Sequence, residues 1–303
     1  MAGMGCAEQY NRHWHEYNDE LVLRGSLLSD LSWVPIHNDE IRSMNEGKNG
    51  RPFRYGNALM VVVRRLRSLT DMAYRTLEGF LRPIFEIFGI NVPDYSTLWR
   101  RCGETDVSAG TPADTHERIA AADSTGIKVT VRGEWMREKW KIHRGWLKLH
   151  VLTDIHTNEI LSFVATDERS GDGKHLLRLV DDAAAAGCRI VKVLADGAYD
   201  AKDNWNGMKE RKIEFVAKIR KNASESSSGG CMIRKMQVLE RNAIGEDEWK
   251  KKHGYNMRWK VESAISDYKR MFGESVSSKT FDNMVKEISG NIECFNIMKR
   301  VAV

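Results

Sequence analysis

The pattern of apolar and polar positions divides the chain into two parts. From about residue 116 onward, short β-branched and apolar runs alternate with stretches of helical spacing, which is typical of a mixed α/β fold. Three strand-like runs come first and predict an antiparallel meander, and the order then continues as helix, strand, helix, strand and helix. The strand-like runs span 118–131, 144–154, 159–166, 190–195 and 213–219, and the helical ones span 174–187, 201–211 and 254–269.

The first hundred residues have a mainly helical pattern. Helical spacing covers 18–31, 55–67 and 70–81. A segment with Gly and Pro at 89–93 interrupts it, and Asp94 then begins a short helix, since Asp is a favoured N-cap. This arrangement resembles a helix-turn-helix reader and makes Arg100 and Arg101 candidate DNA contacts. An ordinary helical hairpin gives the same pattern. Small and polar residues at 105–115 predict a linker, so we expect two domains, 1–115 and 116–303.

Charge and cysteine content narrow the class of protein. The net charge of +5 is modest, but the cations cluster at 51–67, 132–148, 209–221 and 250–252. One such cluster is also typical of a solvated surface, whereas four favour a surface that follows a phosphate backbone. Five widely spaced cysteines without a Cys-x2-Cys pair argue against a zinc site and a disulfide framework. We therefore expect a reducing, cytoplasmic location.

The sequence gives no indication of a membrane or of secretion. The longest apolar run, at 58–63, is far too short to span a bilayer. The N-terminus lacks the cationic start and apolar core of a signal peptide. We therefore expect no membrane partner.

Two aspartates lie where strands are predicted. Asp123 stands inside an apolar, β-branched run, and burying an unpaired carboxylate there is costly unless something such as a metal ion compensates it. Asp196 ends a short apolar strand and precedes Gly197, at the edge where open α/β sheets place functional groups. A turn or N-cap Asp would explain Asp196 without any chemistry.

A third carboxylate lies in a predicted helix near the C-terminus. Tyr255, Arg258, Glu262 and Lys269 are spaced 3, 4 and 7 apart, which places them within an arc of about 60° on a helix. One carboxylate flanked by cations suits a site that holds a metal and a phosphate together. Helical surfaces also carry such groups as simple ion pairs.

These motifs resemble a known family. Asp123 in Asp-Ser-Thr-Gly, Asp196 in Ala-Asp-Gly-Ala-Tyr-Asp and Glu262 in Tyr-x2-Arg-x3-Glu-x6-Lys together are similar to the insertion-sequence-five family of DDE transposases. The resemblance covers roughly residues 115–300 well and the N-terminal region more loosely. It implies a ribonuclease-H-like α/β fold, with a mixed five-stranded sheet and flanking helices, for the catalytic domain at 116–303. Residues 1–115 would form a helical DNA-binding region.

The resemblance also implies a mechanism. Asp123, Asp196 and Glu262 would be catalytic residues that hold two Mg²⁺ (or Mn²⁺) ions, with Asp123 bridging both. Water would attack at the transposon end, and the freed 3′-OH would then attack target DNA. Arg258, Lys269 and Tyr255 would contact DNA. The partners implied are double-stranded DNA, as terminal inverted repeats and target, and further copies of the chain in a homo-oligomer.

Other functions remain open. A metal-dependent nuclease or resolvase on the same fold would cut without strand transfer, and an inactive DNA-binding relic would retain the fold alone. A carboxylate-pair glycosidase would predict neither the basic clusters nor the cations beside Glu262.

Overall fold

A computed structural model describes residues 18, 22, 25–104, 109, 116–129, 145–219, 223 and 231–301. Predictions for most of the 105–115 linker and for residues 132–144 of one basic cluster lie outside the described residues. The helix expected over 18–31 falls partly outside them, and its described end, Leu27–Ser29, is a 3-10 helix.

The N-terminal part is helical, as its pattern predicts. Within residues 25–104 the α-helices are α1 (His37–Asn45), α2 (Asn57–Thr70), α3 (Tyr74–Ile87) and α4 (Tyr95–Gly103). They surround an apolar core whose centre includes Leu59, Leu77 and Leu98, each no more than 1% exposed. Helix α1 was not predicted, because it is mostly polar and buries only His37.

Local backbone chemistry sets the ends of two of these helices. Helix α3 begins four residues later than the pattern predicts, because Asp71 takes a left-handed conformation (φ 51°) and donates its N–H to the Arg67 carbonyl, which ends α2. The predicted cap of α4 is confirmed. The Asp94 carboxylate accepts from the backbone N–H groups of Ser96 and Thr97 at 2.9 and 3.0 Å.

The second part contains a mixed sheet. Its strands are β1 (Glu117–Val129), β2 (Trp146–Asp154), β3 (Ile160–Asp167), β4 (Arg189–Ala195), β5 (Glu214–Ala217) and the two-residue β6 (Ser275–Val276). The order across the sheet is β3-β2-β1-β4-β5, and β6 pairs with the far end of β1. Strands β1 to β3 form the predicted antiparallel meander, whereas β4 and β5 run parallel to β1. This confirms the ribonuclease-H-like order, to which β6 adds a sixth strand.

Helices cover both faces of the sheet. After the sheet begins, the helices are α5 (Leu176–Ala185), α6 (Lys202–Glu210), α7 (Met232–Ile244), α8 (Glu246–Lys252), α9 (Trp259–Phe272) and α10 (Phe281–Val301). Residues 231–248 have a weak sequence pattern that predicted no element, and they contain helix α7 and the start of α8. The helix expected from residue 254 is partly wrong, because Tyr255–Arg258 is a 3-10 helix and α9 starts only at Trp259.

The alternation of β1 assigns its residues to two cores. Ala120 and Ala122 face the core formed with α5 and α6. Ala121 and Ile127 face the opposite core, to which α9 contributes Val261 and α10 contributes much of its apolar face. Odd-numbered positions of β1 therefore point towards α9. Within the described residues, no helix is long and apolar enough to cross a membrane.

Helix α10 joins the two parts of the chain. Glu293 on α10 accepts hydrogen bonds from Arg64 and Arg65 on α2, with a distance of 2.9 Å from Arg65 Nε. A Cβ on Gly290 would lie 2.9 Å from Ser68 Oγ, so the two helices approach closely there. Arg64 and Arg65, which belong to the first basic cluster, thus serve an internal contact between helices.

Candidate active site

Asp123 lies in the middle of the central strand and on the face that α9 covers. It follows Ala121 by two positions, so the period of the strand turns its side chain towards α9. Its side chain is only 22% exposed, and its Oδ1 accepts from the Ser124 N–H at 2.8 Å. Burial raises the pKa of the Asp123 carboxyl, and the nearby charges of Asp196 and Glu262 raise it further, against the lowering effect of Arg258.

Asp196 lies next to Asp123 because of the strand register. Strands β1 and β4 are parallel, and Ala122 pairs with Ala195, so the two aspartates follow at the same level on neighbouring strands. Asp196 also caps the short 3-10 helix Gly197–Tyr199, and its Oδ1 accepts from the Ala198 N–H at 2.8 Å. The N-cap that its position suggested is therefore present.

Glu262 comes from the first turn of α9. Val261 and Ala264 anchor that turn in the core, and Glu262 is 56% exposed on the other side. Glu262 and Asp123 both line an open cavity of about 580 Å³ between α9 and the end of the sheet. The remaining lining residues are Ser124, Ile265, Ser266, Lys269, Arg270 and Glu274.

Arg258 links two of the three carboxylates. Its Nη1 lies 3.3 Å from Asp123 Oδ2, and its Nη2 donates to Glu262 Oε1. The guanidinium is 20% exposed and also bonds the side chain of Tyr255. Tyr255 and Arg258 are three residues apart on the 3-10 helix, where such side chains eclipse each other.

Tyr255 and Lys269 have different environments. Tyr255 is 7% exposed and belongs to the core beneath α9, and burial raises the pKa of its phenol to about 12. Lys269 lines the cavity beside Glu262. The residues expected on one helical stripe therefore lie in two places. Glu262 and Lys269 line the cavity, whereas Tyr255 packs in the core beneath α9.

A partly buried polar cluster next to Ser124, the neighbour of Asp123, was not predicted as part of the site. Asp172 accepts from Ser124, the neighbour of Asp123, and lies 2.7 Å from Lys148 Nζ and 3.2 Å from His150 Nδ1. Burial lowers the pKa of His150 to about 4, aided by the nearby charge of His175. Polar residues at alternate positions of β2, Lys148 and His150, were the only sequence signal for this cluster.

The two arginines of α4 that were expected to contact DNA, Arg100 and Arg101, differ in their exposure to solvent. Arg100 is exposed, as are Tyr95 and Trp99 on the same helix, at 43% and 54%. Arg101 is only 7% exposed, donates to Asn57 Oδ1 at 2.7 Å and covers the Phe53 ring. Its position makes Arg101 part of the packing between α4 and α2, and it is not available to a DNA phosphate in this arrangement.

The three carboxylates are chemically suitable ligands for a divalent metal ion. Their side chains, however, are not arranged as a complete metal site in this structure. Three carboxylates provide the hard oxygen ligands that Mg²⁺ and Mn²⁺ prefer. Two of them, Asp123 and Glu262, already share one cation in Arg258. Among the described residues, no three carboxylate, imidazole or thiolate groups are placed so that they could hold a metal ion.

The fold and the site together define a class of protein. The ribonuclease-H-like sheet carries one Asp on its central strand and a second Asp after the adjacent parallel strand, and a late helix adds a Glu. Comparison with family models agrees. A model described as "Transposase DDE domain" matches residues 114–297, and a second model with the same description matches residues 22–132. The chain belongs to the transposase DDE domain family.

Three proteins illustrate distant similarity to this chain. An uncharacterized protein of Aquifex aeolicus (strain VF5) is 24% identical over 279 residues, which is 85% of this chain and 82% of the relative. The piggyBac transposase in a synaptic complex with hairpin DNA is 10% identical, with a TM-score of 0.38 over 93% of this chain and 75% of that one. The Drosophila P element transposase in a strand transfer complex is 13% identical, with a TM-score of 0.31, and the match spans 60% of this chain and 41% of that one.

Proposed function

We propose that the protein is a DNA transposase that hydrolyses the ends of a mobile element and joins the freed 3′-OH to target DNA, with Asp123, Asp196 and Glu262 as its catalytic residues. The observation that supports this most directly is the meeting of Asp123 and Glu262 at one cation, although 139 positions separate them in the sequence. The strand register adds Asp196 beside Asp123. Membership of the transposase DDE domain family supplies the reaction class.

The three carboxylates would hold divalent metal ions, two Mg²⁺ or Mn²⁺ by the family resemblance. Such ions supply activation of the attacking hydroxyl and neutralise charge at the phosphorus. Asp123, held by the Ser124 N–H, keeps its carboxylate at a fixed place on the rigid central strand. Glu262, more exposed and on a helix, closes the site from the opposite side.

DNA would enter along the cavity between α9 and the sheet. Lys269 and Arg270 line that cavity beside the acidic residues, so a phosphate could contact a cation while its phosphorus lies at the carboxylates. A second contact surface would be α4, whose exposed Tyr95, Trp99 and Arg100 suit both stacking and phosphate contact. This assigns DNA reading to residues 1–115 and catalysis to residues 116–303, acting as a homo-oligomer on paired ends.

Cleavage of DNA that carries the element tests the assignment. A supercoiled plasmid containing this gene with its genomic flanks would be incubated with Mg²⁺ and the full-length protein. We expect cut ends and joined products with the wild type, and neither with Asp123→Ala or Glu262→Ala, while both variants still bind the DNA. Glu274→Ala is the matched control, because Glu274 lines the same cavity without belonging to the triad.

Each outcome separates the candidate functions. Undiminished cleavage by either triad variant would overturn the assignment of the site. Cut ends without joined products would favour a nuclease or resolvase, and salt-sensitive binding without cleavage would indicate a DNA-binding relic.

A further inference from the structure

Arg258 lies between two carboxylates of the acidic site. It is the last residue of the 3-10 helix Tyr255–Arg258, immediately before α9, so its side chain reaches across from the helix layer to the central strand. One nitrogen of its fork faces Asp123 and another bonds Glu262. The guanidinium thus holds together two carboxylates that the fold brings in from separate elements.

The carboxylate oxygens that pair with Arg258 would also have to bind a metal ion, so the two interactions compete. Asp123 Oδ2 and Glu262 Oε1 are the atoms that Arg258 contacts, and carboxylate oxygens are also the ligands that Mg²⁺ and Mn²⁺ require. When all three carboxylates are ionised, they and the one guanidinium together carry two net negative charges, which Lys269 at the same cavity offsets in part. A divalent cation would neutralise those two charges, but it would have to share or replace the contacts of Arg258.

The ion pairs of Arg258 with Asp123 and Glu262 can be replaced by other partners. Glu262 is 56% exposed and the Arg258 side chain is 20% exposed, and ion pairs that reach solvent contribute little net stability. The two carboxylates that Arg258 contacts line the cavity where a DNA phosphate would lie. A phosphate offers the guanidinium a bidentate partner of the same charge type as a carboxylate.

We propose that Arg258 is an exchangeable counter-ion that couples metal binding to DNA binding: without DNA it neutralises Asp123 and Glu262, and when a DNA phosphate takes the guanidinium, the two carboxylates become free for the metal. This inference rests on the proposed function. Because coupling between two ligands is reciprocal, DNA must strengthen metal binding by the same factor by which the metal strengthens DNA binding.

The coupling is measurable without any reaction. Free Mn²⁺ would be counted by electron paramagnetic resonance in titrations of the full-length protein, with and without a short duplex whose own Mn²⁺ binding is subtracted. In the absence of DNA, we expect Arg258→Gln to bind Mn²⁺ about tenfold more tightly than the wild type, within the usual range of about 5- to 150-fold for such couplings. The strengthening of Mn²⁺ binding by DNA should be weaker in Arg258→Gln by the same factor.

Two further variants serve as controls. Arg258→Lys keeps the charge but loses the planar fork that reaches both carboxylates, so its coupling should fall between those of the wild type and Arg258→Gln. Lys269→Gln removes a cation of the same cavity, and it should weaken DNA binding while the coupling factor stays as in the wild type.

The results distinguish this inference from the proposed function. If Asp123→Asn abolishes Mn²⁺ binding but Arg258→Gln binds Mn²⁺ no more tightly than the wild type, the role of Arg258 is refuted and the metal site stands. If the wild type binds no Mn²⁺ that depends on Asp123, with or without DNA, both proposals fail. Mn²⁺ affinities that rise in Arg258→Gln and follow the order predicted for Arg258→Lys would support the coupling.

Discussion

Replacing Arg118 with Met should strongly destabilise the fold at neutral pH. Arg118 lies near the start of the strand that carries Asp123 and is 1% exposed. Its Nη1 donates to Asp154 Oδ2 at 2.7 Å and lies 3.4 Å from Glu159 Oε2. Both carboxylates belong to the β2–β3 hairpin and are buried at 0% and 3% exposure. Methionine keeps most of the volume of the side chain and removes its charge.

The magnitude follows from the charges that the substitution leaves behind. Glu159 keeps a second partner, because Arg300 Nε donates to it at 2.5 Å. Asp154 keeps two backbone donors, the N–H groups of His156 and Thr157, but it loses its buried cation. Removing one partner of a buried ion pair costs about 3–5 kcal/mol. We expect a loss of that size, dominated by Asp154.

A second substitution separates this cause from loss of packing. Adding Asp154→Asn to Arg118→Met removes the carboxylate that has lost its buried cation, so the double variant should recover part of the lost stability. Urea unfolding of the wild type, the two single variants and the double variant would measure it. A destabilisation by Arg118→Met below about 1 kcal/mol, or a double variant no more stable than Arg118→Met, would refute the reasoning.

Two further substitutions test buried polar groups. Asn296→Ala should lower the free energy of unfolding by about 2–4 kcal/mol, as measured by urea unfolding. The reason is that the buried Asn296 side chain accepts from the Ile160 N–H and donates to the Ile160 and Ala109 carbonyls, each at 2.8 Å. His150→Gln should flatten the loss of stability between pH 6.5 and 4, because burial lowers the pKa of His150 to about 4 in the folded state, so the unfolded state takes up the proton first.

The prediction for His150 has a matched control on the same hairpin. His156→Gln alters an exposed histidine of the β2–β3 turn and should leave the pH dependence as in the wild type. An equal slope in the wild type and His150→Gln would contradict the role of His150. For Asn296→Ala, a cost below about 1 kcal/mol would mean that water satisfies the three backbone groups.

Most of the sheet could be predicted because its signals are local. Strands β1 to β5 are short apolar runs between turn residues, and their order allowed few topologies. The cap of α4 by Asp94 is likewise a local signal, confirmed at 2.9 and 3.0 Å. Helices with polar or irregular faces, such as α1 and α7, escaped prediction because their stability depends on contacts that are distant in the sequence.

The site was predictable only in part, for the same reason. Spacing along a regular helix placed Tyr255, Arg258 and Glu262 on one stripe, but the chain forms a 3-10 helix before α9, which turns Tyr255 into the core. Arg101 looked like a surface cation beside Arg100, and only the packing of α4 against α2 shows that it is buried. The hydrogen bond between Asp172 and Ser124 joins residues 48 positions apart, and no local sequence pattern predicts it.

The sequence by itself provided three carboxylates in an order and context that resemble a family of transposases, on strands and a helix whose periods are visible in the residues. The assignment to the insertion-sequence-five group within the transposase DDE domain family stays a prediction. Tertiary structure alone decided that Asp123 and Glu262 share Arg258, because that contact depends on the register of β1 and on the turn before α9. Distances between residues 135 positions apart are set by packing, and local propensity does not encode them.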